Sequence, residues 1–151
     1  MSLQIYLREG KIEKIDSSID GAKIKKEKAF KTYRFSWKNL KEIGYESNIY
    51  TNVYDSIRIG CEAILLLYGY KVKKGEGHHL VIIDTAKDLI NGGLKNEFSR
   101  IQRMRKRRHN IEYDILEISR AELIQAVKDA KKLLKRVDKL IQEKDLQKRL
   151  I

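Results

Sequence analysis

The chain has 151 residues, of which 42% are hydrophobic and 36% are charged, a length and composition suited to one domain with its own core over residues 1–151. Lysines and arginines number 33 against 21 acidic residues, and the resulting charge of +12 favours an acidic partner. Charge alone does not choose among RNA, DNA, an anionic membrane and an acidic protein. The single cysteine, Cys61, excludes an intrachain disulfide and a multi-cysteine zinc site.

Membrane and secretion signals are missing from the sequence. No segment approaches the roughly 18 apolar residues that a membrane-spanning helix requires. No secretory signal is visible either. We therefore expect a cytoplasmic protein with no membrane association.

The first predicted helix covers residues 18–42. The chain contains no proline, so nothing forbids long helices. Apolar residues recur at helical spacing opposite a lysine-rich face, which we interpret as solvated, and Gly44 suits the end of the helix. The apolar positions are Ala22, Ala29, Phe30, Tyr33, Trp37 and Leu40, and the lysines are Lys23, Lys25, Lys26 and Lys28.

A second helix is predicted between a cap at Thr51 or Asn52 and a stop at Gly69. Its apolar stripe advances in steps of three and four and contains Val53, Ile57, Cys61, Ile64, Leu65 and Tyr68. Gly60, in the middle of this helix, costs about 1 kcal/mol relative to alanine. A close contact with another helix would account for it.

Two shorter helices are expected next, over residues 78–90 and 96–113. Residues 75–79 form a glycine loop before the first of them. The apolar run 80–83 leaves a short strand open as an alternative at that place. The sequence Asn-Gly-Gly at 91–93 ends the third helix.

The last helix has the clearest signals. Ser119 and Glu122 have the spacing of a capping box. Apolar residues then advance in steps of four and three, as in the seam of an antiparallel bundle, at Leu123, Val127, Ala130, Leu134, Val137 and Ile141. The predicted fold is all-α, an up-and-down bundle of about four or five helices.

The helix at 96–113 carries a dense basic segment, and two of its faces are of interest. Arg108 falls on the apolar stripe four residues after Met104, where a guanidinium needs a partner or an interface; a snorkelling structural arginine is the alternative. On another face, Arg105, His109 and Tyr113 are spaced four residues apart. Together they could bind phosphate and move protons, or they are ordinary surface residues.

Other candidate sites are weaker. His78 and His79 are neighbours in the glycine loop without a further ligand at a fixed helical offset, which makes a poor metal site. The Gly75-x-Gly77 segment lacks the third glycine of a dinucleotide loop and follows a helix. We predict no metal and no cofactor.

Two stretches resemble the HEPN domains (higher eukaryotes and prokaryotes nucleotide-binding), over roughly residues 11 to 141. Residues 54–71 (YDSIRIGCEAILLLYGYK), followed by Gly77-His78-His79, are similar to the second helix of the family and its exit loop. Residues 104–113 (MRKRRHNIEY) are similar to the family motif of an arginine, a polar residue and a later histidine.

This resemblance implies a helical bundle, usually a homodimer, that acts in RNA biology. Many HEPN proteins are metal-independent endoribonucleases, with toxins among them, and others are partner subunits of small nucleotidyltransferases. Arg108 matches the motif arginine and His109 the polar residue, but Tyr113 stands where the histidine is expected. A shifted register, with Arg103 as the arginine and His109 as the histidine, is the alternative.

A phenol is a poor general base at neutral pH. We therefore predict a HEPN-like homodimer that binds RNA or nucleotide with weak or absent nuclease activity. The residues expected to contact the ligand are Arg103, Arg105, Arg108, His109 and Tyr113. Two alternatives stay open, a metal-independent endoribonuclease and a non-enzymatic partner of a nucleotidyltransferase.

Overall fold

The computed structural model of the protein describes residues 2–112 and 117–150. Over these residues the chain forms six helices and one two-stranded ribbon, so the predicted all-helical class is confirmed. The helices are α1 (Ser2–Arg8), α2 (Ile19–Lys38), α3 (Glu46–Tyr68), α4 (His78–Ile90), α5 (Lys95–Glu112) and α6 (Arg120–Leu150), and the strands are β1 (Ile12–Lys14) and β2 (Tyr70–Val72).

Helix α3 is the centre of the bundle and contacts α2, α4, α5 and α6. The predicted stripe of this helix is buried except for Tyr68, which is partly buried. Burial raises the pKa of the Cys61 thiol. At Gly60 a Cβ atom would lie only 2.7 Å from Leu134 Cδ2 of α6. The close helix contact expected at Gly60 is therefore confirmed.

The start of α3 was predicted wrongly. The helix begins at Glu46, not at a cap on Thr51 or Asn52. Thr51 lies inside the helix and donates its hydroxyl to the Ser47 carbonyl at 3.0 Å, a bond to the preceding turn. Its end is as predicted, with Gly69 in the left-handed region at φ 81°.

Helix α2 is shorter than predicted and its lysines are not simply solvated. It ends at Lys38, before Gly44, and Trp37 on its expected apolar stripe is 60% exposed. Three of its lysines form ion pairs with other helices, a contact that spacing within one helix cannot reveal. They are Lys23 with Asp145 (2.8 Å), Lys26 with Asp138 (3.2 Å) and Lys25 with Glu62 (3.1 Å).

Helices α4, α5 and α6 match their predicted positions closely. Residues 80–83 are helical, so the strand alternative is excluded. The capping box at the start of α6 is half formed: Ser119 Oγ accepts a hydrogen bond from the Glu122 amide at 3.1 Å. All six predicted seam residues of α6 are buried.

The ribbon and α1 are additions to the predicted bundle. β1 and β2 pair antiparallel, with Ile12 opposite Val72. Helix α1 docks on α4 through Tyr6, whose hydroxyl donates to Asp84 at 2.7 Å. Strands of three residues are too short to give a sequence pattern.

Within residues 2–112 and 117–150, none of the helices has the length and apolar character needed to cross a membrane.

Candidate functional site

A cleft of about 330 Å³ lies between the loop and first turn at residues 75–80 and the C-terminal half of α5. We call it the basic cleft. Two arginines of α5, Arg105 and Arg108, line it. The three histidines of the whole chain also line it, namely His78, His79 and His109.

Helix geometry explains why three α5 residues share this cleft. His109 follows Arg105 by four residues and Arg108 by one, and Arg108 follows Arg105 by three. Residues three and four apart are neighbours on a helix surface. Arg108 and two residues that the sequence assigned to another face, Arg105 and His109, therefore meet at one opening.

Arg108 finds partners on α3. Its Nε lies 3.6 Å from Asp55 Oδ1, and its guanidinium carbon lies 5.6 Å from the centroid of the Tyr54 ring. The side chain is 22% exposed. An arginine at the edge of the core is thus held by a carboxylate and an aromatic face, with part of its surface open to solvent.

The charges beneath the cleft form a chain along α3. Asp55 Oδ1 also lies 3.8 Å from Arg58 Nη2, so one carboxylate faces two arginines. Arg58 pairs in turn with Glu62, which pairs with Lys25 of α2. Asp55 and Glu62 therefore each have two cations beside them. The lining of the cleft itself includes one carboxylate, Glu76.

His79 is the most perturbed titratable group of the cleft. Burial, together with the nearby Arg58, His78 and Arg108, lowers its pKa to about 4, and Glu62 opposes this shift. Its Nδ1 is hydrogen-bonded to the hydroxyl of Tyr54 at 3.3 Å. At neutral pH the ring is therefore uncharged.

His78 is oriented by the glycine loop. Its Nδ1 lies 2.8 Å from the Gly75 carbonyl oxygen. Because a carbonyl oxygen only accepts, Nδ1 must carry the hydrogen. In the neutral ring this leaves Nε2 as an acceptor. The rings of His78 and His79 meet nearly edge to face, with centroids 4.4 Å apart.

The predicted site residues are only partly brought together. Arg105, Arg108 and His109 line the basic cleft, and Arg105 Nε donates to Gln102 Oε1 at 3.0 Å. Arg103 instead lines a separate cavity between α5 and α6. Tyr113 lies outside the described residues.

Sequence reasoning missed the contribution of α3 and α4 to this site. His79 was considered as a metal ligand and as part of a family-like exit loop, and Tyr54 and Asp55 as part of a family-like helix. The available signal was the Gly77-His78-His79 exit loop. Nothing local connects it to α5, because His79 and Arg108 are 29 positions apart.

Among the described residues, no group of three or more histidine, cysteine, aspartate or glutamate side chains is placed to hold a metal ion. No protein-family model matches the chain, and a search of the curated proteins gives no match.

Proposed function

We propose that the protein binds RNA in the basic cleft, with weak or absent cleavage of the strand. The observation that carries this proposal is the convergence of two arginines and all three histidines on one opening of a chain with a charge of +12. Phosphate oxygens are the natural ligands of such a set, because guanidinium groups donate to them in a planar fork.

The division of tasks follows from the surroundings of each residue. Arg105 donates to a neutral amide, so its charge is not cancelled by that bond. Arg108 lies deeper and is oriented by Asp55 and Tyr54. His109 is exposed at the rim. We assign Tyr113 to the same ligand-binding set, because it follows His109 by four residues.

We also propose that the chain is HEPN-like and forms a homodimer in which two basic clefts face one another. The support is the similarity of residues 54–71 and 104–113 to the two family motifs. Sedimentation equilibrium at micromolar concentration should give about twice the chain mass. A monomer would remove the shared cleft from the proposal and leave a single-cleft site.

The binding proposal is tested by the double substitution Arg105→Gln and Arg108→Gln. Each phosphate contact on a single strand contributes about 0.7 to the slope of log affinity against log salt. The double variant should therefore bind a single-stranded RNA more weakly than the wild type, with a slope smaller by about 1.4.

A matched control is available on α6. Lys128 and Lys132 are exposed, and their replacement by glutamine removes the same net charge. This control should change the affinity and the slope much less. Equal effects of the two double variants would mean that attraction is spread over the surface, and the basic cleft would be rejected as the binding site.

A second candidate, metal-independent cleavage of RNA, is favoured by the presence of three imidazoles in the lining of one cleft. An imidazole could take the proton of a ribose 2′-hydroxyl, whose oxygen attacks the adjacent phosphorus. A second imidazole would then protonate the leaving 5′-oxygen, giving a 2′,3′-cyclic phosphate.

This candidate predicts cleavage in the presence of EDTA that is lost in both His79→Ala and His109→Ala. Products ending in a cyclic phosphate would support it. An intact RNA after prolonged incubation with the wild type would leave binding as the function.

A further inference from the structure

A second groove, of about 340 Å³, lies where the end of α2 meets the start of α3. Its walls include Phe35 and Tyr45, which are 56% and 59% exposed. Three asparagines also line it, namely Asn39, Asn48 and Asn52. We call it the aromatic groove. Both residues are more than half exposed, so their rings are open to a stacking partner.

The groove is flanked by cations. Lys31, Phe35 and Lys38 follow one another at steps of four and three, so an exposed lysine stands on either side of the phenyl ring along one face of α2. Between residues 31 and 45 the chain has four basic residues and one carboxylate, Glu42. The groove thus combines planar apolar groups and one lining carboxylate, Glu42, with basic residues around it.

We propose that the aromatic groove binds an unpaired base of a single-stranded RNA; this rests on the proposed function and adds a specificity for unpaired strands. Bases stack on exposed aromatic rings, and basic residues beside the rings hold the phosphates. Carboxamides bond the edges of bases that are not paired. Asn39 commits its Nδ2 to the Phe35 carbonyl at 2.8 Å, which leaves its Oδ1 as an acceptor for a ligand.

The groove and the basic cleft are joined by one face of α3. Asn48, Asn52 and Asp55 follow at steps of four and three. Asn52 lines the groove and Asp55 holds Arg108 of the cleft. Seven residues of helix span about 10 Å. One short strand therefore reaches from the aromatic rings to the arginines.

A second copy of the chain is a poorer occupant of this groove. A two-fold interface places a surface patch against itself. Lys31 and Lys38 of one protomer would then face the same lysines of the other, and Arg34 and Lys41 would add to the repulsion. Like charges facing one another are unfavourable, whereas a polyanion is attracted by all four.

The test compares the loss of an aromatic residue that lines the groove with the loss of an equally exposed aromatic residue outside it. Phe35→Ala and Tyr45→Ala should each weaken binding of a fluorescein-labelled single-stranded 12-mer by roughly 5- to 150-fold, the range for loss of one stacked base. Trp37→Ala is the matched control, because Trp37 is 60% exposed but does not line the groove. A duplex of the same sequence should bind all three variants as it binds the wild type.

Three results would overturn the inference. The first is an equal loss of RNA affinity in Trp37→Ala. The second is an unchanged affinity in both Phe35→Ala and Tyr45→Ala. The third is an equal loss of affinity for the duplex and the single strand. Conversion of a wild-type dimer to a monomer by Phe35→Ala would also overturn it and assign the groove to a second copy. Two groove variants guard against a folding defect in one of them, and thermal melts identify such a defect.

The Arg105→Gln and Arg108→Gln double variant, measured beside these, separates the two proposals. Loss in the double variant alone leaves the basic cleft as the binding site and rejects the aromatic groove. Loss in the groove variants alone supports the groove and rejects the cleft. A wild type that binds neither RNA rejects both.

Discussion

The two faces of α5 carry the same residue type in different surroundings. On the face toward α6, Arg100 makes two hydrogen bonds to Asp129, at 2.8 and 2.9 Å, and that carboxylate is only 2% exposed. Arg107 donates to Glu122 at 2.7 Å. These bonds attach α5 to α6. The hydrogen bonding to Asp129 is also the main cause that raises the pKa of Arg100.

On the face toward the basic cleft, the two arginines have different partners. Arg105 bonds to an amide, and Arg108 lies 3.6 Å from a carboxylate that it shares with Arg58. A run of cations in a sequence is therefore not a binding surface as a whole. The acids of α6 neutralise one part of it, and the RNA site that we propose lies on another part.

The largest effect that would sharpen this comparison concerns cleavage. Tyr113→His places an imidazole four residues after His109, at the motif position of the resembled family. General acid–base help is typically worth about 10²–10⁴-fold in rate. We expect the variant to cleave RNA faster than the wild type by a factor in that range, measured with an end-labelled RNA in EDTA.

The matched control is Arg103→His, which adds an imidazole on the face toward α6. It should give no gain in rate. Cleavage by the Tyr113→His variant should also disappear when Arg108 is replaced by alanine. Wild-type cleavage that survives Arg108→Ala but is lost in His109→Ala would instead favour the shifted register.

The next effect concerns stability. Arg100→Ala leaves the buried Asp129 without its guanidinium, and breaking a buried pair from one side costs about 3 kcal/mol or more. Urea titration should show this loss as a lower midpoint with an unchanged slope. Arg105→Ala, on the cleft face, should cost less than about 1 kcal/mol, because surface contacts contribute little.

Similar losses in these two variants would contradict the division of α5 into a structural face and a cleft face. The cleft arginines would then be part of the scaffold, and the snorkelling interpretation of Arg108 would apply to Arg105 as well.

The fold could be predicted wherever its signals are local. The bounds of α4, the capping serine at 119 and the buried seam of α6 all follow from spacing within one helix. The start of α3 was wrong because Thr51 and Asn52 are equally able to sit inside a helix when the turn before them is helical. The ribbon was missed because each strand has three residues.

The site was less predictable than the fold, for a different physical reason. Helical spacing identified the cleft residues of α5 but could not say which of its arginines meet acids of α6. The pairing of Lys23, Lys25 and Lys26 with acids 37 to 122 positions away was invisible for the same reason. Long-range partners decide which charges remain for a ligand.

The pH dependence of stability separates His79 from the exposed His109. The pKa of His79 in the folded chain is lowered to about 4, chiefly by burial, whereas the usual value in an unfolded chain is near 6.5. As the pH falls below about 6.5, this histidine therefore takes up a proton in the unfolded chain before it does so in the folded chain. Stability is therefore lost between about pH 6.5 and 4. After allowance for partial exposure, we expect a loss of about 1–2 kcal/mol from this residue.

His79→Gln should remove that part of the pH dependence, measured as the free energy of unfolding at several pH values. His109→Gln, a change in the same cleft, should keep it. An identical pH profile for the wild type and His79→Gln would mean that His79 is as hydrated in the folded chain as in the unfolded one.

The smallest effect provides the most direct comparison of the two faces. Arg107→Gln removes a pair whose side chains are 30% and 39% exposed, which should cost about 0.5 kcal/mol of stability.

The same variant removes the same charge from the same helix as Arg105→Gln, so long-range attraction for RNA falls equally in both. Any difference in RNA affinity then reports direct contact. We expect Arg105→Gln to weaken binding and Arg107→Gln to change it less than about twofold, because the wild-type Arg107 pairs with Glu122 and does not line the cleft. Equal weakening at 0.15 M salt, where distant charges are screened over about 8 Å, would place RNA on both faces and remove the distinction between them.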